Sequence, residues 1–370
     1  MSRLIAIADK ELRQLMRDPL TMAMMVALPV VQLLLFGYAI NTDVRHIPAI
    51  AYDQDHSAAS RDFVRSIEAT GFYDVVGHVE SYGEIAAALR ANRARVAIVM
   101  PPGYSADLLR REPTSVQLVV DGSDPQVVAS ATQTAAGLAA SLSGELRVAR
   151  LGPSGIDLVH VEATTWYNPE LRTAVFVVPG IIGVILTMTM VMLTSMAIAR
   201  ERERGTLEAL IVSPLRSYEL MIGKLLPYVG IGYVQITLIL FVGRVVFDVP
   251  FHGSLGLLYA LSFVFIAANL ALGLVFSTLA KTQQQAMQMS FFFLLPNILL
   301  SGFAFPWEGM PRAAQWLSQA LPLTHFLRIV RGIGLKNAAF GDLEGELVWM
   351  VAILVAFVTL ASLRFRKKLV

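Results

Sequence analysis

The sequence predicts an α-helical integral membrane protein with six transmembrane helices and an α/β extracytoplasmic domain inserted between the first and second. Three observations carry this. The 370 residues are 55% hydrophobic and their mean hydropathy is +0.59, far from the balance of a soluble domain. Six stretches, near 20–40, 173–199, 222–243, 254–279, 285–305 and 347–363, are apolar over the roughly 20 residues needed to cross ~30 Å of hydrocarbon. One long segment of mixed composition, 41–172, separates the first stretch from the second.

The same composition excludes several classes. A net charge of +2 gives no basic or acidic bulk for nucleic acid, so the placement of Lys and Arg matters more than their sum. The absence of cysteine excludes disulfides, thiol catalysis and thiolate metal sites and leaves the redox compartment open. Mostly polar residues precede the first apolar stretch, so no cleavable signal is expected.

Residues 1–19 form the first predicted element. Leu4, Ile5, Ala8, Leu12, Leu15 and Met16 share one side of a helical wheel, and Lys10, Arg13 and Arg17 lie opposite. That is the pattern of a helix lying flat on a membrane surface. Asp18-Pro19 ends it and turns the chain into the first span, 20–40.

The 41–172 segment alternates candidate strands at 47–52, 73–79, 96–100 and 116–120 with helical stretches near 57–69, 81–91, 103–111 and 125–149. Such alternation predicts a small layered domain. Gly152-Pro153-Ser154-Gly155 is read as a joint that returns the chain toward the membrane.

The last five spans fill 173–370. Orientation follows from positive charge. Arg3, Lys10, Arg13 and Arg17 precede the first span, and Arg200, Arg202, Arg204, Arg216 and Lys224 lie between the second and third. Lys281 follows the fourth, and Arg364, Arg366, Lys367 and Lys368 follow the sixth. With both termini cytoplasmic, all these clusters fall inside and 41–172 falls outside. Arg312, Arg328, Arg331 and Lys336 run against the rule, which points to an outer re-entrant or interfacial segment at 302–340, with a helix over 316–333.

The densest charge lies in the loop 200–216. Glu201, Arg202, Glu203 and Glu208 stand among leucines and isoleucine spaced for a short amphipathic helix, which cannot sit in hydrocarbon. Gly205 offers a break, Thr206 a cap, and Ser213-Pro214 a second helix start. An ordinary solvated connection and a docking handle are both compatible with these residues.

This loop, with the six-span layout and a large domain after the first span, resembles the permeases of ABC-2-type transporters, in particular their drug-export branch. The resemblance covers nearly the whole chain. It implies that Glu201, Arg202, Glu203, Gly205, Thr206, Glu208 and Pro214 couple to a separate cytoplasmic ATP-binding subunit, with the N-terminal helix as a second contact. It also implies that ATP and Mg are bound by that partner rather than by this chain, and that the permease pairs with a second copy or a paralogue. A periplasmic adaptor is a further candidate partner, and a bacterial inner membrane the expected location.

The chain's own residues agree on the nucleotide. The nearest approach to a phosphate-binding loop is Gly223-Lys224, where Leu225 replaces the needed Ser or Thr and Tyr218 stands in place of the first Gly. Ion coupling has little to work with, since no Asp, Glu or His lies well inside a predicted span. Gln32, Gln235, Asn269, Gln288 and Asn297 do, as interhelical hydrogen-bond partners or as path-lining groups. Gln235, Asn269, Pro296 and Asn297 are the gating or path candidates, Pro296 because it is expected to break the fifth span.

The six histidines show no metal-ligand spacing, and Asp121 with Asp124 are read as turn residues. The predicted function is therefore the permease subunit of an ATP-driven exporter of amphiphilic or drug-like compounds. The alternatives are a non-transporting membrane protein whose outer domain is a sensor or assembly platform, and a membrane enzyme acting on lipids, for which no catalytic groups are found.

Overall fold

The computed structural model describes residues 44–110, 112–149, 158–203, 205 and 217–364. The predicted interfacial helix at 1–19 and the first span at 20–40 lie outside these. The described chain opens with β1 (Ile47–Asp53), α1 (Ala58–Ala69), β2 (Tyr73–His78), α2 (Tyr82–Arg90), β3 (Val96–Met100), α3 (Tyr104–Arg110), β4 (Thr114–Asp121) and α4 (Pro125–Ala149), in the order predicted. The strands join in one sheet in the order β2-β1-β3-β4-β5. Only the β3–β4 pair is antiparallel.

The fifth strand, β5 (Val159–Trp166), is a correction. The chain after α4 does not pass straight to the membrane but pairs along β4, from Thr114 opposite Val159 to Asp121 opposite Trp166. β5 is an edge strand in which Val159 is buried while Glu162, Ala163 and Thr164 are exposed, so its alternating pattern is weak.

Period-two alternation builds two cores. Ile47, Ala49 and Ala51 of β1 face α1, α3 and α4, meeting Phe63, Ile67, Tyr104 and Val127. Ile50, with Ala97, Val99 and Val119, faces α2 through Ile85 and Leu89. All five residues of β3 are buried, as befits a central strand covered on both faces. Ser57 and Ser81 cap α1 and α2, each accepting a backbone N–H three residues on.

The helical region follows as α5 (Thr173–Glu203), α6 (Ser217–Val245), α7 (Leu255–Leu279), α8 (Gln283–Leu300), α9 (Arg312–Gln319), α10 (Pro322–Lys336) and α11 (Phe340–Arg364), with a single 3-10 turn at Trp307–Gly309. Four of these helices, α5, α6 from Leu225, α7, and α11 to Leu363, are long and apolar enough to cross a membrane. The predicted span at 285–305 is shorter: α8 has 18 residues and ends at Leu300. Gln283, Gln284, Gln285 and Gln288 dilute its apolar run, and it is not among the four. The single helix expected over 316–333 is two, since α9 ends at Gln319 and Pro322 opens α10.

α5 is the hub, and glycines let its neighbours approach. A Cβ on its Gly183 would sit 2.4 Å from the Leu323 side chain of α10. At Gly273 of α7 a Cβ would meet the Thr194 side chain and the Val191 carbonyl of α5, each at 2.8 Å. Phe265 of α7 stacks on Phe326 of α10 at 3.9 Å. By contrast, α6 and α11 turn Leu226, Val234, Leu238, Val348, Val355 and Leu363 outward, exposed apolar faces of the kind that suit lipid or another helix. Helices with one end at the α/β domain alternate in direction along the chain: Arg172, before α5, donates to the Phe247 carbonyl just past α6 (2.7 Å), while the far ends of α5 and α7 meet the start of α8.

Candidate functional site

The end of the helices remote from the α/β domain holds the predicted coupling residues that the structure describes: Glu201, Arg202, Glu203 and Gly205. Thr206, Glu208 and Pro214, with the rest of 206–216, lie outside the described residues. Gly205 has φ +68°, the left-handed conformation in which glycine ends a helix without a Cβ penalty. Just before it, α5 grips the turn between α7 and α8. Arg202 donates through Nη1 to the Ala280 carbonyl (2.7 Å), and Arg200 through Nε to Gln283 Oε1 (3.1 Å). Glu203 accepts both the Gln283 backbone N–H (2.9 Å) and its Nε2 (2.5 Å).

Thr282 caps the same helix by accepting from the Gln285 N–H (3.2 Å). The first turn of α8, rich in unmet N–H donors and positive in its dipole, is thus held by a carboxylate from α5.

The four gating or path candidates share no hydrogen bond with one another. Gln235 accepts from Thr189 of α5 (3.0 Å), an interhelical hydrogen bond. Asn269 is wholly buried and back-bonds its own helix, Nδ2 donating to the Phe265 carbonyl (2.9 Å), which leaves Oδ1 without a partner. Asn297 is buried with neither side-chain atom partnered. Pro296, expected to break its span, lies inside an unbroken α8; one proline near a helix end is tolerated where packing holds the chain.

A second cluster, at the junction with the α/β domain, escaped the sequence reading. Lys336, the last residue of α10, reaches into the domain. It donates to Asp121 Oδ2 (2.6 Å), Asn92 Oδ1 (2.7 Å) and the Leu89 carbonyl (3.0 Å). Arg95 of the domain donates through Nη1 to the same Asp121 oxygen (2.8 Å) and through Nε to Glu308 Oε1 (2.8 Å). The Lys336 and Asp121 side chains are 1% and 0% exposed, so this is a buried network between two parts of the fold.

Its electrostatics follow from that burial. Burial raises the Asp121 pKa, but Lys336 and Arg95 outweigh it and hold the carboxyl well below the usual range. Burial pushes Lys336 down to about 8, against the pull of Asp121. Glu308 is lowered too, burial being outweighed by Arg95. Asp124 is buried and raised, burial prevailing over its neighbour Arg331. Asp121 and Asp124 also make the turn contacts expected of them, to the Ser123 and Gln126 N–H groups.

Of the four cations expected to run against the positive-inside rule, Arg328 and Lys336 are paired with carboxylates. Arg328 donates to Glu346 Oε1 (3.0 Å), and His325 holds the other oxygen through Nδ1 (2.6 Å). Arg331 lies over the Phe176 ring at 4.1 Å and donates to the Gly302 carbonyl, while its Nε and Nη2 have no partner. Lys336 is in the network, and Arg312 is exposed. Those exceptions were the one sequence signal that could have found this cluster. No group of three or more His, Asp or Glu placed to hold a metal occurs among the described residues.

Apolar helices long enough to cross a bilayer, glycine-notched around a central one and joined to a polar α/β domain, define a membrane-embedded protein whose charged groups gather at the two ends. Comparison with known proteins narrows this class. A family model described as "ABC-2 family transporter protein" matches residues 19–363, and this chain belongs to that family: it is a transporter permease. The probable multidrug ABC transporter permease YbhR of Escherichia coli strain K12 is 32% identical over 99% of both chains. The inner membrane transport permease YhhJ of the same organism is 30% identical over 97% of this chain and 95% of its own. ABC transporter G family member 20 of Dictyostelium discoideum is 23% identical over 98% of this chain, which spans half of that protein's length.

Proposed function

We propose that this permease is the membrane subunit of an ATP-driven exporter of amphiphilic or drug-like compounds, with ATP and Mg bound by a separate cytoplasmic ATPase. The relatives named as multidrug permeases support the substrate class. The observation that carries the mechanism is the grip of α5 on the α7–α8 turn through Arg202 and Glu203. A push on the loop after Gly205 would reach α5 and α6 directly and α8 through these bonds, which lie at the surface and can re-form as the helices shift against one another.

In this reading the loop end is cytoplasmic, as the Lys and Arg clusters favour, and the α/β domain is extracytoplasmic. α8 crosses the membrane although its glutamines lower its hydropathy, and 20–40 supplies the sixth span. The bacterial inner membrane is the location, and the working unit pairs this chain with a second copy or a paralogue, with a periplasmic adaptor as a further partner of the outer domain.

Affinity purification of the tagged wild type beside Glu208→Arg and Gly205→Pro, with identification of co-purifying chains, tests this. An ATPase subunit is expected with the wild type and not with the variants. Its absence from the wild type after cross-linking in membranes would overturn coupled export and favour a sensor or assembly platform.

A further inference from the structure

A cavity of about 350 Å³ lies between α5, α6, α7 and α10, near the domain end of the helices. Its walls include Pro179, Leu240, Phe241, Tyr259, Val330 and Leu335, and the 246–254 connection closes one side with Val249 and Phe251. The volume falls within the ~300–1,000 Å³ typical of small-molecule sites. Neighbouring packing is tight: a Cβ on Gly243 would sit 2.8 Å from Val178, and one on Gly334 3.3 Å from the Phe251 ring. The space is therefore bounded rather than a loose seam.

The polar groups in the wall satisfy one another. Thr237 donates to the Tyr233 carbonyl (2.8 Å), which leaves the Tyr259 hydroxyl to donate to Thr237 Oγ1 (2.6 Å). The interior makes no further hydrogen-bond demand, so an apolar body can enter without orphaning a buried polar atom. The mouth differs. Arg244, in the last turn of α6, has a side chain 64% exposed and 3.4 Å from Asp248 Oδ1. Arg172 approaches the other Asp248 oxygen at 4.0 Å. Two guanidinium groups share one carboxylate, leaving the mouth with one uncompensated positive charge. Phe241 and Leu255, 63% and 51% exposed, flank it on the outward side.

We propose that this cavity binds a single-chain anionic amphiphile, its hydrocarbon tail among α5, α6, α7 and α10 and its acidic headgroup on Arg244. A guanidinium at the end of an apolar helix sits at headgroup depth and pairs with carboxylate or phosphate in a fixed fork geometry. The inference rests on the permease reading only for the membrane around the cavity, because a molecule taken from one leaflet would enter past Phe241.

The test measures binding, so its failure leaves the transporter reading standing, and failed export with intact binding does the reverse. The purified full chain in zwitterionic nanodiscs is photolabelled with palmitate carrying a diazirine in its tail, and with the corresponding uncharged alcohol. Labels are expected at 178–182, 237–244 or 330–335. Arg244→Glu is expected to cut palmitate labelling roughly tenfold while sparing the alcohol, and Leu240→Trp, which fills the cavity, to cut both. Leu255→Trp, at the exposed mouth, serves should the buried substitution prevent folding. Labels elsewhere, or labelling indifferent to the tryptophan variants, would overturn the site. Equal loss of both probes in Arg244→Glu would overturn the anionic headgroup.

Discussion

The two ends of the helical region are tied in opposite ways. At the loop end, α5 holds the α7–α8 turn through Arg200, Arg202 and Glu203, side chains at the surface that can trade these bonds for water at small net cost. At the domain end, Lys336, Asp121 and Glu308 are buried and Arg95 nearly so, and any separation strands a charge. The comparison teaches where motion can enter. The surface end can rearrange, whereas the buried end obliges the α/β domain to move with α10.

The largest effect should come from breaking the buried end. Asp121→Asn leaves Lys336 and Arg95 facing each other without their shared carboxylate, and is expected to lower stability by about 3–5 kcal/mol, read as thermal unfolding of the purified protein. Asp121→Leu combined with Lys336→Met should recover much of that loss, because no unpaired charge remains between those two positions. If the single and double variants are equally destabilised, the network is not what joins the domain to the helices.

Next in size is the packing that both ends share. Gly273→Ala puts a Cβ within 2.8 Å of the Val191 carbonyl, a backbone atom that cannot swing away. A loss of about 1–3 kcal/mol is expected, while Gly137→Ala, where nothing lies within 4 Å, should show no such clash.

Acid should loosen the buried end. The Asp121 pKa is depressed in the fold, so the released state binds more protons below the ordinary carboxylate value of ~3.9. Its stabilisation is present above that value and lost as pH falls, and Glu308 acts with the same sign. Asp124, raised by burial, acts with the opposite sign but is one group against two. Hydrogen exchange around 92–96 and 334–338, corrected for intrinsic rates, should match between pH 7 and about 5 and speed up below about 4. Faster exchange there already near neutral pH would contradict the assignment.

The smallest stability change belongs to the surface end. Arg202→Ala or Glu203→Gln should scarcely move the unfolding temperature yet should speed exchange at 283–286, since the Gln283 N–H loses its charged acceptor or its neighbour. A large drop in unfolding temperature would mean that this end is as rigid as the other.

Much of this architecture was legible. The four strands with alternating Val, Ile and Ala were read within a few residues because each has a buried face or two. The edge strand β5 was missed because solvent covers most of its side chains. The apolar spans at 173–199, 222–243, 254–279 and 347–363 announce themselves by length, whereas α8 is ambiguous because its first turns are glutamine-rich. The α9–α10 break was hidden because Pro322 can open a helix as readily as bend one.

The candidate site was legible only in part. Glu201, Arg202, Glu203 and Gly205 stand close together in sequence, so their loop is visible as a charge run. The bonded pairs of the Lys336–Asp121–Arg95–Glu308 network lie up to 215 positions apart, and nothing local marks those partners. What sequence did offer was the conflict of Arg328, Arg331 and Lys336 with the positive-inside rule, an anomaly that pairing resolves for Arg328 and Lys336.

The most direct test uses the absence of native cysteine, which lets spin labels be placed freely. One pair would replace Ala197 and Gln284 at the loop end, and another Arg93 and Arg312 at the domain end, in membranes that also hold the proposed ATPase subunit. Distances measured with and without trapped ATP should change for the first pair and stay fixed for the second. A fixed loop end with a moving domain end would contradict the account.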